Sequence, residues 1–242
     1  MQESNMRALV VIPTYNEISN VGKIIGAVLG VSDIAEVLVV DDNSPDGTGA
    51  AADGMAKVNP RVHVMHRAGK MGLGSAYIEG FRYAIDKGYD YVFEMDADFS
   101  HDPAEIPKFL DAAKEADVVI GSRYVDGIRI LNWPLKRLML SYFASVYART
   151  ITGLKLHDTT GGYKCFRREA LMKLDLSRIH SDGYSFQIEM NFLCQKKGLR
   201  MKEIPIVFSD RRAGISKMNK GIIFEALAVV WLLKIKSILG IL

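Results

Sequence analysis

Two carboxylates one residue apart offer the clearest chemistry in the sequence. Asp96 and Asp98 follow the apolar run 91–95, which is typical of a buried β-strand. In an extended strand alternate side chains share one face, so both carboxylates are expected to point the same way at the strand's carboxyl end. Mg²⁺ and Mn²⁺ are commonly bound by one or two carboxylates together with phosphate oxygens of a substrate. The pair therefore predicts a Mg²⁺ or Mn²⁺ site that acts on a phosphorylated donor.

The surrounding sequence predicts the elements that would position this pair. Apolar runs rich in Val and Ile, such as residues 7–13 and 37–40, alternate with patterns of helical spacing. This alternation indicates βαβ units, and hence an α/β fold with a mostly parallel sheet and helices on both faces. Ligands bind such sheets beyond the carboxyl ends of the strands. The polar clusters expected to meet in one cleft there are residues 13–17, 41–46, 96–100 and 121–123.

Residues in the first two clusters are candidates for nucleotide binding. Asp42 could accept hydrogen bonds from a base or a ribose, with Asp41 as its structural partner, although both aspartates could instead open a turn. Tyr15 could pack beside the base while Glu17 contacts the ribose. Glu17 could equally begin a helix, where a negative charge interacts favourably with the helix dipole.

Cations that could bind phosphate occur at several places along the chain. Arg123 follows a predicted strand and could contact phosphate in a bidentate manner, or form an ion pair with a nearby Asp. Arg211 and Lys217 belong to a segment with Gly and Ser that could close over phosphates, or could be a solvated basic loop. Arg67 and Lys70 could add positive potential near a diphosphate or remain solvated.

Composition and missing motifs argue against several other classes of function. A net charge of +3 over 242 residues is too small to indicate a nucleic-acid partner. The glycine-rich segment 69–74 matches neither the phosphate-loop pattern nor the dinucleotide-binding fingerprint, so we interpret it as a turn that opens a helix. Cys165 and Cys194 lack metal-ligand spacing and are expected to be reduced thiols. His63 and His66 are expected to face opposite sides of one strand, without a metal role.

Apolar helical patterns in the second half of the chain could contact a membrane. Residues 133–149 combine Trp, Leu, Met, Tyr and Phe with cations, which is typical of an interfacial helix or of a core helix with a basic edge. Residues 219–242 predict a C-terminal helix whose Trp231, Lys234 and Lys236 could lie on anionic lipid or pair with another chain. The apolar runs are too short to span a bilayer, and the polar amino terminus predicts no signal peptide.

Six motifs occur in order between about residues 7 and 220. They are VIPTYNE at 11–17, VVDDNSPDGT at 39–48, GLGSAYIEGF at 72–81, MDADFSHDP at 95–103, GSRY at 121–124 and DRRAGISK at 210–217. Together they resemble the inverting GT-A glycosyltransferases of family 2, and within that family the branch that transfers mannose to dolichyl or polyprenyl phosphate. The resemblance implies a GT-A catalytic domain at residues 1–218 and a C-terminal helix at 219–242, attached peripherally to the cytoplasmic face of a membrane.

The resemblance also implies roles for individual residues. Those implied to bind the nucleotide are Pro13, Tyr15, Glu17, Val40 and Asp42. Asp96 and Asp98 would hold the divalent cation, with Ala97 lining the site, and Ser100 stands where some members carry a Gln that contacts the metal. The cations implied to bind the donor diphosphate and the acceptor phosphate are Arg123, Arg211 and Lys217, which with Asp98 form the expected catalytic set. Arg212 and Ala213 depart from the aromatic-containing loop expected before the glycine.

The reaction implied is inverting transfer of a hexose, best matched by mannose from GDP-mannose, to a polyprenyl phosphate. Such an acceptor is already anionic near neutral pH, so no general base is needed to deprotonate it. Transfer from a UDP-sugar, such as a UDP-glucose, to the same lipid is an alternative, because the sequence does not distinguish guanine from uracil. A catalytically silent GT-A module that recruits a partner is a further alternative.

Overall fold

A seven-stranded sheet forms the centre of the structure. The computed structural model describes residues 6–210 and 220–241. The strands are β1 Ala8–Thr14, β2 Ala35–Asp41, β3 Val62–His66, β4 Tyr91–Glu94, β5 Val118–Ser122, β6 Ile130–Leu131, β7 Lys164–Arg167, β8 Met201–Pro205 and β9 Phe208–Ser209. The α-helices are α1 Val21–Val31, α2 Thr48–Val58, α3 Leu73–Asp86, α4 Ile106–Ala112, α5 Leu135–Thr152, α6 Arg168–Met172, α7 Gly183–Lys196 and α8 Lys220–Ile238.

The strand order confirms the predicted α/β fold. The main sheet runs β3-β2-β1-β4-β7-β5-β8, and every neighbouring pair is parallel except the two that involve β7. β6 and β9 form a separate parallel pair in which Ile130 lies opposite Phe208. The carboxyl ends of β1, β2, β4 and β5 therefore share one edge of the sheet, where the polar clusters were expected.

Helices cover both faces of the sheet, and each face has its own hydrophobic core. Along β1, Leu9 and Val11 pack on one side with α3 and α7, whereas Val10 and Ile12 pack on the other side with α1 and α4. A β1 strand buried on both faces explains why its sequence is apolar throughout instead of alternating. At Gly80 a side-chain methyl would lie 2.4 Å from Val11 Cγ1, so α3 sits directly on β1.

The position of the two central carboxylates differs from the strand prediction. β4 ends at Glu94, and Asp96 and Asp98 belong to the turn that follows it. Phe99 in this turn has φ +61°, a left-handed conformation that a large side chain rarely adopts. The alternation of a strand is therefore not what brings the two carboxylates together.

The sequence patterns predicted neither β6 nor β7. β7 enters the sheet antiparallel between β4 and β5, and its Lys164 faces Glu94 across the ladder. Its cations at both ends concealed it from a search for apolar runs. A 3₁₀ turn at Pro103–Glu105 leads directly into α4, and β8 and β9 are separate short strands.

The C-terminal helix α8 packs against α5 and α7. Val230 and Leu233 are buried in the same core as the helices beneath them, whereas Trp231, Leu232 and Ile235 are exposed. Among the described residues, no helix has the length and apolar character that a membrane crossing requires.

Candidate active site

A cleft of about 600 Å³ lies at the carboxyl edge of the sheet. Its lining comes from the segments after β1, β2, β4 and β5, from the start of α3 and α7, and from the region around β9. The predicted site residues that line it are Pro13, Tyr15, Glu17, Asp42, Asp96, Ala97, Asp98, Ser100 and Arg123. The four predicted clusters thus meet as expected. Val40 instead has its side chain in the core beside α3, so only its backbone can approach a ligand.

Short polar contacts hold the turn that carries Asp96 and Asp98. The backbone N–H of Ser100 donates to Asp98 Oδ1 at 3.0 Å, and the hydroxyl of Tyr77 donates to Asp96 Oδ1 at 3.4 Å. Tyr77 is fully buried, and burial raises its pKa well above the usual value, so it remains a neutral donor. The turn therefore presents carboxylate oxygens to the cleft from a fixed backbone.

His101 is a cleft residue that the sequence patterns did not identify. Its Nδ1 accepts a hydrogen bond from the backbone N–H of Asp96 at 3.2 Å, and its ring stacks on Tyr163 at 5.0 Å between centroids. Burial lowers the pKa of His101 to about 4. The neutral ring must then carry its proton on Nε2, and its 4.0 Å separation from the Asp96 carboxylate is not an ion pair. The position of this His five residues after Asp96 was the available signal.

Asp41 and Asp42 have different roles. Asp41 accepts hydrogen bonds from the Thr14 hydroxyl at 3.0 Å and from the Ser44 hydroxyl at 2.6 Å, so it braces the turn after β2. Asp42 lines the cleft, with Arg67 Nε 3.1 Å from its Oδ1 and the backbone N–H of Met71 donating to its Oδ2. Burial raises the pKa of Asp42, and the charge of Arg67 opposes that rise.

Arg67 does not line the cleft, and its burial contradicts the expectation that it remains solvated. It is buried, and besides Asp42 it contacts Glu79 and donates to the hydroxyl of Ser75 at 2.7 Å. Lys70, in contrast, lines the cleft, where its Nζ lies 5.0 Å from the ring centroid of Tyr15. Lys70 therefore presents its charge to the cleft itself, whereas Arg67 lies behind Asp42.

Glu17 lies outside the first helix. α1 begins at Val21, and the carboxylate of Glu17 accepts a hydrogen bond from the Asn20 amide at 2.8 Å. The backbone N–H of Glu17 donates to the hydroxyl of Thr48 at 2.9 Å, which ties the turn after β1 to the start of α2. The Glu17 carbonyl accepts from the backbone N–H groups of Asn20 and Val21 at 2.9 and 2.8 Å, so the residue supports the turn that leads into α1. Its position in the cleft wall also agrees with the ribose hypothesis.

Arg123 forms the ion pair that the sequence analysis considered as its alternative role. Its Nε and Nη2 each donate to one oxygen of Asp158 at 2.6 Å, and Nη2 also donates to the Thr160 hydroxyl at 2.8 Å. Burial alone would lower the pKa of Arg123, but the charge and hydrogen bonds of Asp158 outweigh it and raise the pKa. Arg123 still lines the cleft, so the pair and a ligand contact are compatible.

Three buried polar side chains, those of Glu94, Lys164 and Gln187, lie close together next to the Asp96 turn. Lys164 on β7 contacts the amide oxygen of Gln187 on α7, and its Nζ is 3.6 Å from Glu94 Oε2. Burial lowers the pKa of Lys164 and raises the pKa of Glu94, so both shifts favour the neutral forms. The Gln187 oxygen faces Lys164 as the acceptor, which leaves the Gln187 NH₂ group for other acceptors.

The far end of the cleft is aromatic and basic. Trp133 and Phe208 pack edge to face at 5.3 Å, and the guanidinium of Arg137 lies 4.1 Å from the Trp133 ring centroid. Arg137 also donates to Asp210 at 2.9 Å. Sequence analysis placed Arg137 on a helix that could contact a membrane but gave it no role in the site. The approach of α5 to β9 through the β6–β9 pair could not be read from local patterns.

The described residues fit a site for a hard divalent cation. Asp96 and Asp98 supply carboxylate oxygens, and the buried hydroxyl of Ser100 has no hydrogen-bond partner among the described residues. Nowhere in the described ranges do three or more His, Cys, Asp or Glu residues form a metal-binding group. Two carboxylates suit Mg²⁺ or Mn²⁺ when phosphate oxygens and water complete the coordination. Arg211 and Lys217, predicted to bind phosphate, lie outside the described residues.

An open α/β sheet with an acidic turn in a cleft at its carboxyl edge is typical of nucleotide-binding enzymes. Residues 9–175 match the family model described as "Glycosyl transferase family 2". The chain is 48% identical over 225 residues to the undecaprenyl-phosphate mannosyltransferase of Micrococcus luteus, covering 93% of each chain. It is 49% identical over 223 residues to the polyprenol monophosphomannose synthase of Mycolicibacterium smegmatis, covering 91% of this chain and 84% of that one.

The fold is also similar to that of a solved glycosyltransferase. The crystal structure of glucosyl-3-phosphoglycerate synthase from Mycobacterium tuberculosis with Mn²⁺, UDP and glucosyl-3-phosphoglycerate aligns with a TM-score of 0.66 at 18% identity. The alignment covers 99% of this chain and 82% of that one. The chain therefore belongs to glycosyl transferase family 2, and it is a glycosyltransferase of the GT-A fold.

Proposed function

We propose that the protein transfers mannose from GDP-mannose to a polyprenyl phosphate, with inversion at the anomeric carbon. The observation that carries this proposal is the near-complete match, at 48–49% identity, to two enzymes named for mannosyl transfer to undecaprenyl or polyprenol phosphate. The cleft supports it because the acidic turn, the candidate nucleotide-binding residues and Arg123 all line one cavity.

The charges around the cleft agree with a reaction between two phosphorylated substrates and a divalent cation. Its described carboxylates are Glu17, Asp42, Asp96, Asp98, Asp182 and Asp210, and its described cations are Lys70, Arg123 and Arg137. Such a wall repels phosphate unless further positive charge is supplied. A divalent cation at the Asp96 turn and the predicted contacts from Arg211 and Lys217 would supply it.

Each residue then has a part in the transfer. Tyr15, Glu17 and Asp42 bind the nucleoside, while Asp96 and Asp98 hold Mg²⁺ or Mn²⁺, with the Ser100 hydroxyl available beside them. When bound, this cation supplies a Lewis acid for the leaving diphosphate. Arg123 donates hydrogen bonds to phosphate. One oxygen of the acceptor phosphate bonds to the anomeric carbon as its bond to the GDP oxygen breaks. Attack from the opposite side converts an α-linked donor into a β-linked product.

The same cleft connects to a surface suited to lipid. Arg137 in the first turn of α5 lines the cleft. The same helix exposes the apolar side chains of Leu135, Met139 and Phe143. α5 packs against α8, which exposes further apolar side chains and carries Lys234 and Lys236. Exposed apolar groups among cations are typical of helices that lie on anionic membranes. We propose peripheral binding at the cytoplasmic face, where a polyprenyl phosphate headgroup can reach Arg137 and Arg123.

A label-transfer assay tests the proposed function. Purified protein is incubated with Mn²⁺ or Mg²⁺, undecaprenyl phosphate and radiolabelled GDP-mannose, UDP-glucose or UDP-N-acetylglucosamine, and the lipid is extracted. Label from GDP-mannose alone is the expected result. Label from a UDP-sugar alone would reject the proposed donor in favour of the alternative enzyme. Nucleotide binding without any transfer would indicate a silent GT-A module.

A further inference from the structure

The loop before β7 accepts several hydrogen bonds from Arg123. Asp158 accepts from Arg123 Nε and Nη2 and also from its backbone N–H at 3.1 Å. Thr160 accepts a further hydrogen bond from Nη2. Asp158 is fully buried and Arg123 nearly so. We propose that Asp158 and Thr160 are positioning residues that hold Arg123 in place as a hydrogen-bond donor to phosphate. This inference rests on the proposed function.

The donor geometry of the guanidinium supports this role. A guanidinium carries five N–H groups, and the contacts to Asp158 and Thr160 use the one on Nε and both on Nη2. Two N–H groups remain, both on Nη1, and the described residues provide no acceptor for them. Because Arg123 lines the cleft, Nη1 is the edge that faces a ligand. Each of these two N–H groups can donate a charge-assisted hydrogen bond to a phosphate oxygen.

Aromatic rings restrict the same side chain further. The Arg123 Cζ lies 5.3 Å from the ring centroid of Tyr124, 5.6 Å from that of Phe208 and 5.8 Å from that of Trp133. A free arginine loses rotamer entropy when it is immobilised. Here folding has already ordered the side chain, so a phosphate that binds Nη1 gains the hydrogen bonds without that loss.

The loop that carries Asp158 and Thr160 is itself hydrogen-bonded to the sheet. The backbone N–H groups of His157 and Asp158 donate to Glu203 on β8 at 2.8 and 2.9 Å, and the backbone N–H of Thr160 donates to Asp158 Oδ1 at 3.2 Å. Arg123 immediately follows β5, which pairs with β8. Two neighbouring strands therefore fix both partners of the ion pair relative to the cleft.

A double-mutant cycle separates positioning from general support of the fold. Binding of farnesyl phosphate, and separately of GDP with Mn²⁺, is titrated through Trp133 fluorescence in a Trp231→Phe background. Thr160→Val keeps the ion pair and should weaken binding of one ligand roughly 3- to 10-fold, and Asp158→Asn roughly 10- to 100-fold. In an Arg123→Gln background each change should alter binding by less than about twofold. Circular dichroism verifies folding, and Thr160→Val decides the matter if Asp158→Asn does not fold.

The chain offers a matched control at the other end of β5. Asp117, just before that strand, makes an equally bidentate pair with Arg200 far from the cleft, at 2.9 and 3.2 Å. Asp117→Asn should leave both affinities within about twofold. Equal losses with and without Arg123, or no loss for either ligand, would overturn the inference. Coupling without mannosyl transfer by the unaltered protein would reject the proposed function alone, whereas transfer without coupling would reject only this inference.

Discussion

The carboxylates of Asp96 and Asp98 are held in the cleft by contacts that leave the turn little freedom. His101 accepts from the Asp96 backbone, Ser100 donates to Asp98, and Tyr77 donates to Asp96. The left-handed φ of Phe99 is a local strain, of about 1–3 kcal/mol by general experience, that persists only where surrounding contacts impose it. Strain at the proposed metal site indicates that the turn is shaped for function more than for stability.

Replacing Asp98 by Asn tests this turn directly. Asn keeps the size and one acceptor oxygen but removes the charge that a hard cation requires. We expect Asp98→Asn to lower the rate of sugar transfer roughly 100-fold or more, measured with saturating donor and acceptor. Metal-independent nucleotide binding should remain.

Asp53→Asn serves as the control, because Asp53 on α2 contacts His66 at the end of β3, outside the cleft. It should retain full transfer activity. Unreduced activity in Asp98→Asn would show that this carboxylate does not hold a required cation.

At the scale of single elements, the amino edge of the sheet carries a polar network of its own. Glu36 at the start of β2 accepts from Arg7 at 2.8 Å and from Tyr89 at 2.6 Å, and its Oε2 lies 2.8 Å from His63 Nε2. Burial alone would raise the pKa of Glu36, but these hydrogen bonds outweigh it and lower the pKa to about 2. The network joins β1, β2, β3 and the segment before β4 at the end opposite the cleft.

A lowered folded-state pKa makes this contribution depend on pH. It is fully present above the unfolded-state pKa of Glu36, near 4.5, and is lost as the pH falls toward 2. Glu36→Gln should lower the free energy of unfolding by about 2 kcal/mol at pH 7, allowing for solvent at the half-exposed Arg7, and by less than half as much at pH 3.

Urea denaturation at the two pH values measures the difference. Glu115→Gln, which breaks an exposed pair with Lys202, should change stability little at either pH. A Glu36→Gln effect that did not shrink at pH 3 would contradict the assignment.

Local patterns predicted the elements well where one physical rule dominated. Strands that are buried on both faces have continuous apolar sequences, so β1, β2 and β5 could be predicted. Their carboxyl ends then predicted the edge of the sheet where Asp42, Asp96 and Arg123 meet. β7 was missed because its buried Lys164 is neutralised by a partner on another strand. An ion pair of Arg123 with a nearby Asp was one of two open alternatives, and the sequence did not identify Asp158 as the partner because it lies 35 positions away. Such contacts depend on tertiary packing, which spacing along the chain does not encode.

At the scale of the whole molecule, the cleft lies next to the exposed apolar surface of α5 and α8. Trp133 and Arg137 stand at the boundary, because they line the cleft and belong to the segment that leads into the exposed side of α5. A lipid phosphate that entered from this side would meet Arg137, which is paired with Asp210. The proposed membrane contact and the proposed acceptor site therefore support each other.

Removing two exposed rings from this surface should weaken membrane binding. Phe143 on α5 is 57% exposed and Trp231 on α8 is 53% exposed. Burying half of each ring contributes on the order of 1 kcal/mol apiece, so Phe143→Ser with Trp231→Ser should lower the partition onto anionic vesicles roughly 30-fold. Sedimentation with phosphatidylglycerol vesicles measures this partition.

Val58→Ser is the matched control, because Val58 is 83% exposed at the end of α2, away from α5 and α8. It should bind vesicles like the unaltered protein. Equal binding by the double variant would mean that α5 and α8 do not form the lipid-facing surface.

We propose centrally that the phosphate of an anionic lipid displaces GDP from mannose in one inverting step, at a site where Asp96 and Asp98 would hold a divalent cation. The most direct measurement is ¹³C NMR of the lipid product formed from GDP-[1-¹³C]mannose and undecaprenyl phosphate with Mn²⁺. We predict a β-linked mannosyl phosphate from the unaltered protein and none from Asp98→Asn. An α-linked product, or an equal yield from Asp98→Asn, would contradict the account.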